Sequence, residues 1–114
     1  MPFIRATTNV SVCDEKKAEL KTALGASISI VSGKAECYLM LSIEDGVTMA
    51  YQGDMKTPLA MIEVQLLGEA DRGELEVLTA KISEDISRIL GIDESRIYIN
   101  HTFFKDWGVG GALC

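Results

Sequence analysis

Two helix patterns, each followed by a glycine and then an apolar segment, constrain this chain more than any other feature. In the first half Leu20, Leu24, Ile28 and Val31 recur at steps of four, four and three. That spacing draws one apolar stripe on a helix over about 14–31. Asp14 and Glu15 lie at its start, where the helix dipole favours negative charge, and Ser32-Gly33 ends it. In the second half Leu75, Leu78, Ile82, Ile86 and Ile89 step by three, four, four and three behind Asp71-Arg-Gly-Glu74, a capping-box pattern, and Gly91 closes the run. Asp14 and Asp71 stand 57 positions apart, Gly33 and Gly91 58, and Tyr38 and Tyr98 60. The chain therefore repeats a pattern, about 2–45 and 58–103, without repeating a sequence.

Strand-like segments flank both helices. Phe3–Asn9 is rich in β-branched and aromatic residues, and Cys37–Ile43 is nearly all apolar, which predicts a strand buried on both faces. Leu59–Leu67 alternates Ile62, Val64 and Leu66 with Glu63 and Gln65, and Arg96–Thr102 supplies the last strand. Glu44–Thr57 is a long connection with room for a short extra strand. A strand–helix–strand unit is parallel with a right-handed crossover. Two of them make a single α/β (α+β) domain spanning 1–114: a four-stranded mixed sheet with both helices on one face. Leu39, Met40, Leu41, Ile62, Val64 and Leu66 are expected to leave apolar side chains on both sheet faces, so the face without helices is apolar and bare, which predicts a closed homo-oligomer with those faces turned inward.

Composition narrows the partners. A net charge of −6 argues against nucleic acid or an anionic membrane as the main partner. No apolar run reaches the roughly 18–20 residues that span a bilayer, and no apolar signal core follows Arg5, so neither membrane insertion nor a cleaved secretory signal is expected. Cys13, Cys37 and Cys114 are odd in number and lack metal or redox spacing, so they read as reduced thiols of a protein made in the cytosol. No metal or cofactor is expected.

The chain opens Met1-Pro2-Phe3-Ile4. Initiator methionine is normally removed before a small residue, and proline qualifies. Removal leaves Pro2 as a secondary amine whose pKa starts near an ordinary α-amino value of about 8. If Phe3 and Ile4 begin a buried strand, desolvation lowers it towards neutrality, where a general base works best. The plainer reading is a proline heading a strand, where its missing N–H is harmless.

Several segments, taken in order, resemble the macrophage migration inhibitory factor family, which includes D-dopachrome tautomerase. They are Pro2-Phe-Ile, Ser32-Gly33-Lys34, Met49-Ala50-Tyr51, Leu67-Gly68 and Gly91-Ile-Asp-Glu-Ser-Arg-Ile-Tyr-Ile-Asn100. The resemblance covers essentially the whole chain and implies the tautomerase fold assembled as a homotrimer. It implies keto–enol tautomerisation of a small α-keto acid such as phenylpyruvate, or of a dopachrome-like compound, with Pro2 as catalytic base. Lys34 falls where the family holds the substrate carboxylate, and Leu67 where a backbone amide meets substrate. Tyr98 and Asn100 fall where the family lends two residues to the neighbouring subunit. Each role makes chemical sense, since a developing enolate needs donors and an anionic substrate needs a cation. Each also has a plainer reading: Lys34 as a partner for a helix end, Tyr98 as core, Asn100 as a turn former. His101, the only histidine, neighbours Asn100 and so points to the other sheet face.

The chain also departs from the family. Leu59-Ala-Met-Ile62 stands where the mammalian factor has a Cys-x-x-Cys, so thiol–disulfide activity is expected to be absent. Trp107-Gly-Val-Gly-Gly shifts the indole by two positions, and Glu36 adds negative charge beside Lys34, so weaker turnover of phenylpyruvate-type substrates is expected than in the mammalian factor. The same resemblance supports an alternative: a cytokine-like protein, cytoplasmic and released by a leaderless route, acting through a cell-surface receptor. A non-catalytic ferredoxin-like binding module would need neither a trimer nor Pro2.

Overall fold

Each half of the chain builds one strand–helix–strand unit in the computed structural model, which describes residues 1–114. The main elements are β1 (Pro2–Thr8), α1 (Asp14–Ser27), β2 (Met40–Glu44), β3 (Ala60–Leu67), α2 (Arg72–Leu90) and β4 (Ile97–Phe104). The sheet runs β2-β1-β3-β4. β1 is parallel to β2 and β3 to β4, while β1 and β3 meet antiparallel at the join between the units. No helix is long and apolar enough to cross a membrane.

The core lies between the sheet and the helices. Ile4 and Ala6 of β1, Ile62, Val64 and Leu66 of β3, Leu20 and Leu24 of α1, and Leu78, Ile82, Ile86 and Ile89 of α2 are all buried. Both helix stripes read from the sequence thus face the sheet. The first departs from the expected length: the α-helix ends at Ser27, and Ile28–Ile30 tightens into a 3₁₀ turn. Ile28 and Val31 remain buried because the tighter winding keeps them on the inner side.

Gly91 ends α2 in the left-handed conformation, with φ 67°. A Cβ at this position would meet nothing within 4 Å, so an alanine there suffers only the backbone penalty of a left-handed L-residue. Gly91→Ala should lower unfolding stability by about 1–2 kcal/mol. A urea titration checks this, and no loss would mean the helix end can refold around alanine.

Two expectations about the sheet require correction. The segment Cys37–Ile43 is not a strand buried on both faces. Glu36–Tyr38 forms a 3₁₀ turn, so Tyr38 has no strand counterpart to Tyr98, and β2 is a short edge strand with Met40 70% exposed. An apolar run signals burial on both sides only when a layer covers each face, and Met40, paired with Phe3, points to the face the helices do not cover. The uncovered face is not bare and apolar either. Side chains alternate along a strand, so Ile62, Val64 and Leu66 all point at the helices. The opposite face is mixed: Arg5, Thr7, Ser42, Glu63, Gln65, Asn100 and Thr102 stand among Phe3, Met40, Met61, Leu67, Tyr98 and Phe104. Arg5 lies there between Glu44, 3.9 Å away, and Glu63, 3.7 Å away. The tail adds a hairpin absent from the reading above, β5 (Gly108–Val109) against β6 (Ala112–Leu113).

Candidate active site

The start of β1 and the end of β3 lie side by side, with Pro2 opposite Leu66. Pro2 is buried and Met1 half-buried. The Leu67 N–H donates to the Met1 carbonyl at 3.1 Å, and Lys34 Nζ donates to the Leu67 carbonyl at 2.7 Å. Three of the residues singled out in the sequence, Pro2, Lys34 and Leu67, therefore meet in one place although they come from β1, the turn after α1, and β3. The α-amine at the chain start, here that of Met1, has its pKa lowered from about 8; burial contributes most, then the Lys34 ammonium, and Cys114 opposes them. That ranking also places the end of the tail near the amine.

Lys34 is held by a contact the sequence hinted at and misdirected. In a full capping box Glu74 would reach back to the Asp71 backbone. Only half of the box forms: the Asp71 side chain accepts from the Glu74 N–H at 3.0 Å. The Glu74 carboxylate instead accepts from the Ser32 hydroxyl at 2.7 Å and from the Ser32 N–H at 3.3 Å. The Lys34 N–H donates to the Val31 carbonyl at 3.0 Å, and Gly33 supplies the positive φ of 80° for the turn. The N-terminal turn of α2 thus fixes the segment that aims Lys34.

Tyr98 and Asn100 are not part of this cluster. In β3 register Tyr98 lies opposite Met61 and Asn100 opposite Glu63, whereas Pro2 lies opposite Leu66. Five residues of strand, at about 3.3 Å each, separate Tyr98 from Pro2 by roughly 17 Å along the sheet. Both residues are exposed and line an open groove of about 520 Å³ on the outer edge of β4, with Met61, Thr79 and Ser83. Within one chain they cannot act on a substrate held at Pro2; an adjoining copy would have to supply them.

His101 lies on the helix side of β4, opposite Val64. Thr79 donates its hydroxyl proton to the Leu75 carbonyl at 2.8 Å. It must therefore accept at 2.8 Å from a protonated His101 Nε2. Nδ1 is buried with no partner, and burial lowers the ring's pKa. The imidazole is a packing group tied to Thr79 of α2, and it makes no contact with Pro2, Lys34 or Leu67.

The tail was the poorest part of the sequence reading, yet it carried a signal. Gly110 and Gly111 take φ 60° and 85°, the conformation that favours Gly-Gly in a two-residue hairpin turn. The Cys114 N–H donates to the Trp107 carbonyl at 2.9 Å, and the indole meets Phe104 edge-on at 5.9 Å. Cys13, Cys37 and Cys114 are exposed and unpaired.

Comparison with known proteins identifies the family and the fold. The sequence model of the macrophage migration inhibitory factor family matches residues 1–112. Leishmania major MIF2 is 30% identical, with 100% of this chain and 97% of that one covered, and superposes with a TM-score of 0.92. A homologue from Prochlorococcus marinus is 26% identical over 97% of each chain, with a TM-score of 0.84. A migration-inhibitory-factor-like protein from Entamoeba histolytica is 21% identical, covers 99% of this chain and 98% of its own, and gives a TM-score of 0.87. A search of curated proteins gives no match.

Proposed function

This chain belongs to the macrophage migration inhibitory factor family and has the tautomerase fold, and from that premise we propose that it is a keto–enol tautomerase, acting on a small α-keto acid such as phenylpyruvate or on a dopachrome-like compound, that works as a homotrimer. The observation that carries the reading is the meeting of the chain's N-terminus, the Lys34 ammonium and the Leu67 amide at the end of β3. The catalytic group is the Pro2 nitrogen once Met1 is removed; with Met1 attached it is an amide and holds no proton. Removal also frees the Leu67 N–H, which the Met1 carbonyl otherwise occupies.

The chemistry follows from those groups. Lys34 and the Leu67 N–H hold the substrate carboxylate. The Pro2 nitrogen takes the proton from the carbon next to the ketone, the C–H electron pair moves to form the enolate, and the proton returns to the oxygen. Tyr98 and Asn100 of an adjoining copy donate hydrogen bonds to the developing negative charge. The 17 Å gap within a single chain supports this sharing. The proposed place of action is the cytoplasm.

Lys34→Met tests the anion-binding half. Charge-assisted hydrogen bonds contribute about 1.5–3 kcal/mol, so kcat/KM for phenylpyruvate should fall about ten- to hundredfold, mainly through KM. The pH profile should move as well. The Lys34 charge disfavours a protonated amine nearby; without it the base stays protonated to a higher pH, and the acid limb of the profile shifts upward. An unmoved limb with an unchanged KM would remove Lys34 from the site. The whole reading is tested by measuring conversion of phenylpyruvate, with intact mass to verify loss of Met1 and sedimentation to count subunits; a correctly processed trimer without activity would sink it. Signalling through a cell-surface receptor would then lead, because that role does not need a free Pro2 nitrogen.

A further inference from the structure

We propose that Tyr51 is a positioning residue for this site: wedged between Arg96 and Tyr98, it fixes the Tyr98 ring in the orientation presented to a neighbouring subunit. The inference rests on the tautomerase reading and adds a residue from the long connection, far from the Pro2 cluster.

Tyr98 needs such a support. It projects from β4, an edge strand with a neighbour on one side only, and it is 56% exposed. A phenol ring so placed would sample several rotamers unless something flanked it. The Tyr51 ring meets it edge-on, with centroids 5.2 Å apart and planes at 76°. On the other side of Tyr51 the Arg96 guanidinium lies 5.2 Å from the ring centroid. Arg96 is itself tied down, since Nε donates to the Pro58 carbonyl at 3.0 Å and Nη2 to the Thr57 carbonyl at 3.2 Å. The order is then anchored arginine, Tyr51, Tyr98.

The backbone of Tyr51 is fixed with equal care. Tyr51 and Asp54 exchange both N–H···O bonds at 3.0 Å, closing a tight turn in which Gln52 and Gly53 have φ 54° and 76°. Gln52 is the one residue other than glycine with positive φ, a conformation retained only where surroundings require it. The Asp54 carboxylate accepts from the Lys56 N–H at 2.8 Å and from the Thr57 hydroxyl and N–H. Those contacts hold its pKa down at about 2, so the turn keeps its charge at any working pH. Tyr51 covers one flank of Tyr98 and leaves more than half of it open. The neighbouring Tyr51 hydroxyl is also the main reason why the Tyr98 phenol titrates above its ordinary value.

A ring held in place beforehand loses less freedom when substrate arrives, so the effect should appear mainly in KM. In the phenylpyruvate assay, with wild type and Pro2→Gly alongside, Tyr51→Ala should raise KM about fivefold, the scale of one aromatic pair. Tyr51→Phe keeps the ring contact and should restore KM to within about twofold of wild type. It also removes the hydroxyl, so the Tyr98 phenol, followed by ultraviolet difference titration against Tyr98→Phe, should titrate lower. Tyr51→Leu serves if alanine disturbs the trimer, and it should raise KM like alanine. Wild-type KM for Tyr51→Ala or Tyr51→Leu in an intact trimer would overturn the proposal, as would Tyr51→Phe proving as damaging as alanine. Those failures leave the dependence on Pro2 intact. An inactive wild type, or an active Pro2→Gly, strikes instead at the tautomerase reading, and the role of Tyr51 falls with it.

Discussion

Pro2→Gly should lower kcat for phenylpyruvate by about 10²–10⁴-fold, the contribution of a well-placed general base. The substitution is a sharp test because little else changes. Glycine is as small as proline in the sense that matters for methionine removal, so both proteins should lose Met1, which intact mass verifies. Both then carry an α-amine at the same place, near Lys34 and under the same burial. What glycine lacks is the ring, which makes the amine secondary and fixes the direction of its lone pair. A primary amine on a free glycine backbone can turn away from the substrate carbon. KM should change little, since Lys34 and the Leu67 N–H still bind the carboxylate. The trimer should persist, because the β1–β3 pairing from Phe3 onward does not involve the ring. A glycine variant with wild-type kcat would show that another group removes the proton. Wild-type protein retaining Met1 should be as inactive as the variant, and its Met1 carbonyl would keep the Leu67 N–H from substrate.

How much of this was legible in the sequence depended on the kind of interaction. The two helices and the strand segments follow from the spacing of apolar residues, because burial imposes a period on whatever it holds, and the mixed sheet follows from joining two strand–helix–strand units; the order β2-β1-β3-β4 does not, since a period fixes a face and not a neighbour. Lys34 and Leu67 could be placed beside Pro2 only through likeness to a family, since nothing local reveals that a turn after α1 reaches the end of β3. The failures have one physical origin each. Cys37, Tyr38 and Met40 are apolar but exposed, so composition suggested a longer and more buried β2 than forms. Ile62, Val64 and Leu66 were spread over two faces, although a period of two puts all three on one. Glu74 satisfied a local motif on paper, while its carboxylate found Ser32, 42 positions away. Tyr51 was noticed as part of a family-like stretch; its contact with Tyr98 depends on the Tyr51–Asp54 turn and on Arg96, partners that periodicity does not connect.

Ile62→Ala should cost about 2–5 kcal/mol of unfolding stability, a large share of the 5–15 kcal/mol typical of a domain. Ile62 is fully buried at the centre of β3, between Ala6 of β1 and Ile99 of β4, on the side packed by the helices. Both strand neighbours are themselves constrained: Ala6 is too small to fill a void, and Ile99 sits on an edge strand whose far side lacks a neighbour. The lost methyl groups should therefore leave a cavity instead of drawing the sheet together. The residue also lies on the face away from Arg5, Glu63 and Asn100, so it should not alter whatever contacts another subunit. Urea titrations at two protein concentrations separate these effects. The difference between wild type and variant should stay constant with concentration, even if each midpoint rises as an oligomer's must. A loss below about 1 kcal/mol would mean that the helices close over the gap, and a loss that grows on dilution would place Ile62 in the assembly interface, contrary to the direction its side chain takes in the sheet.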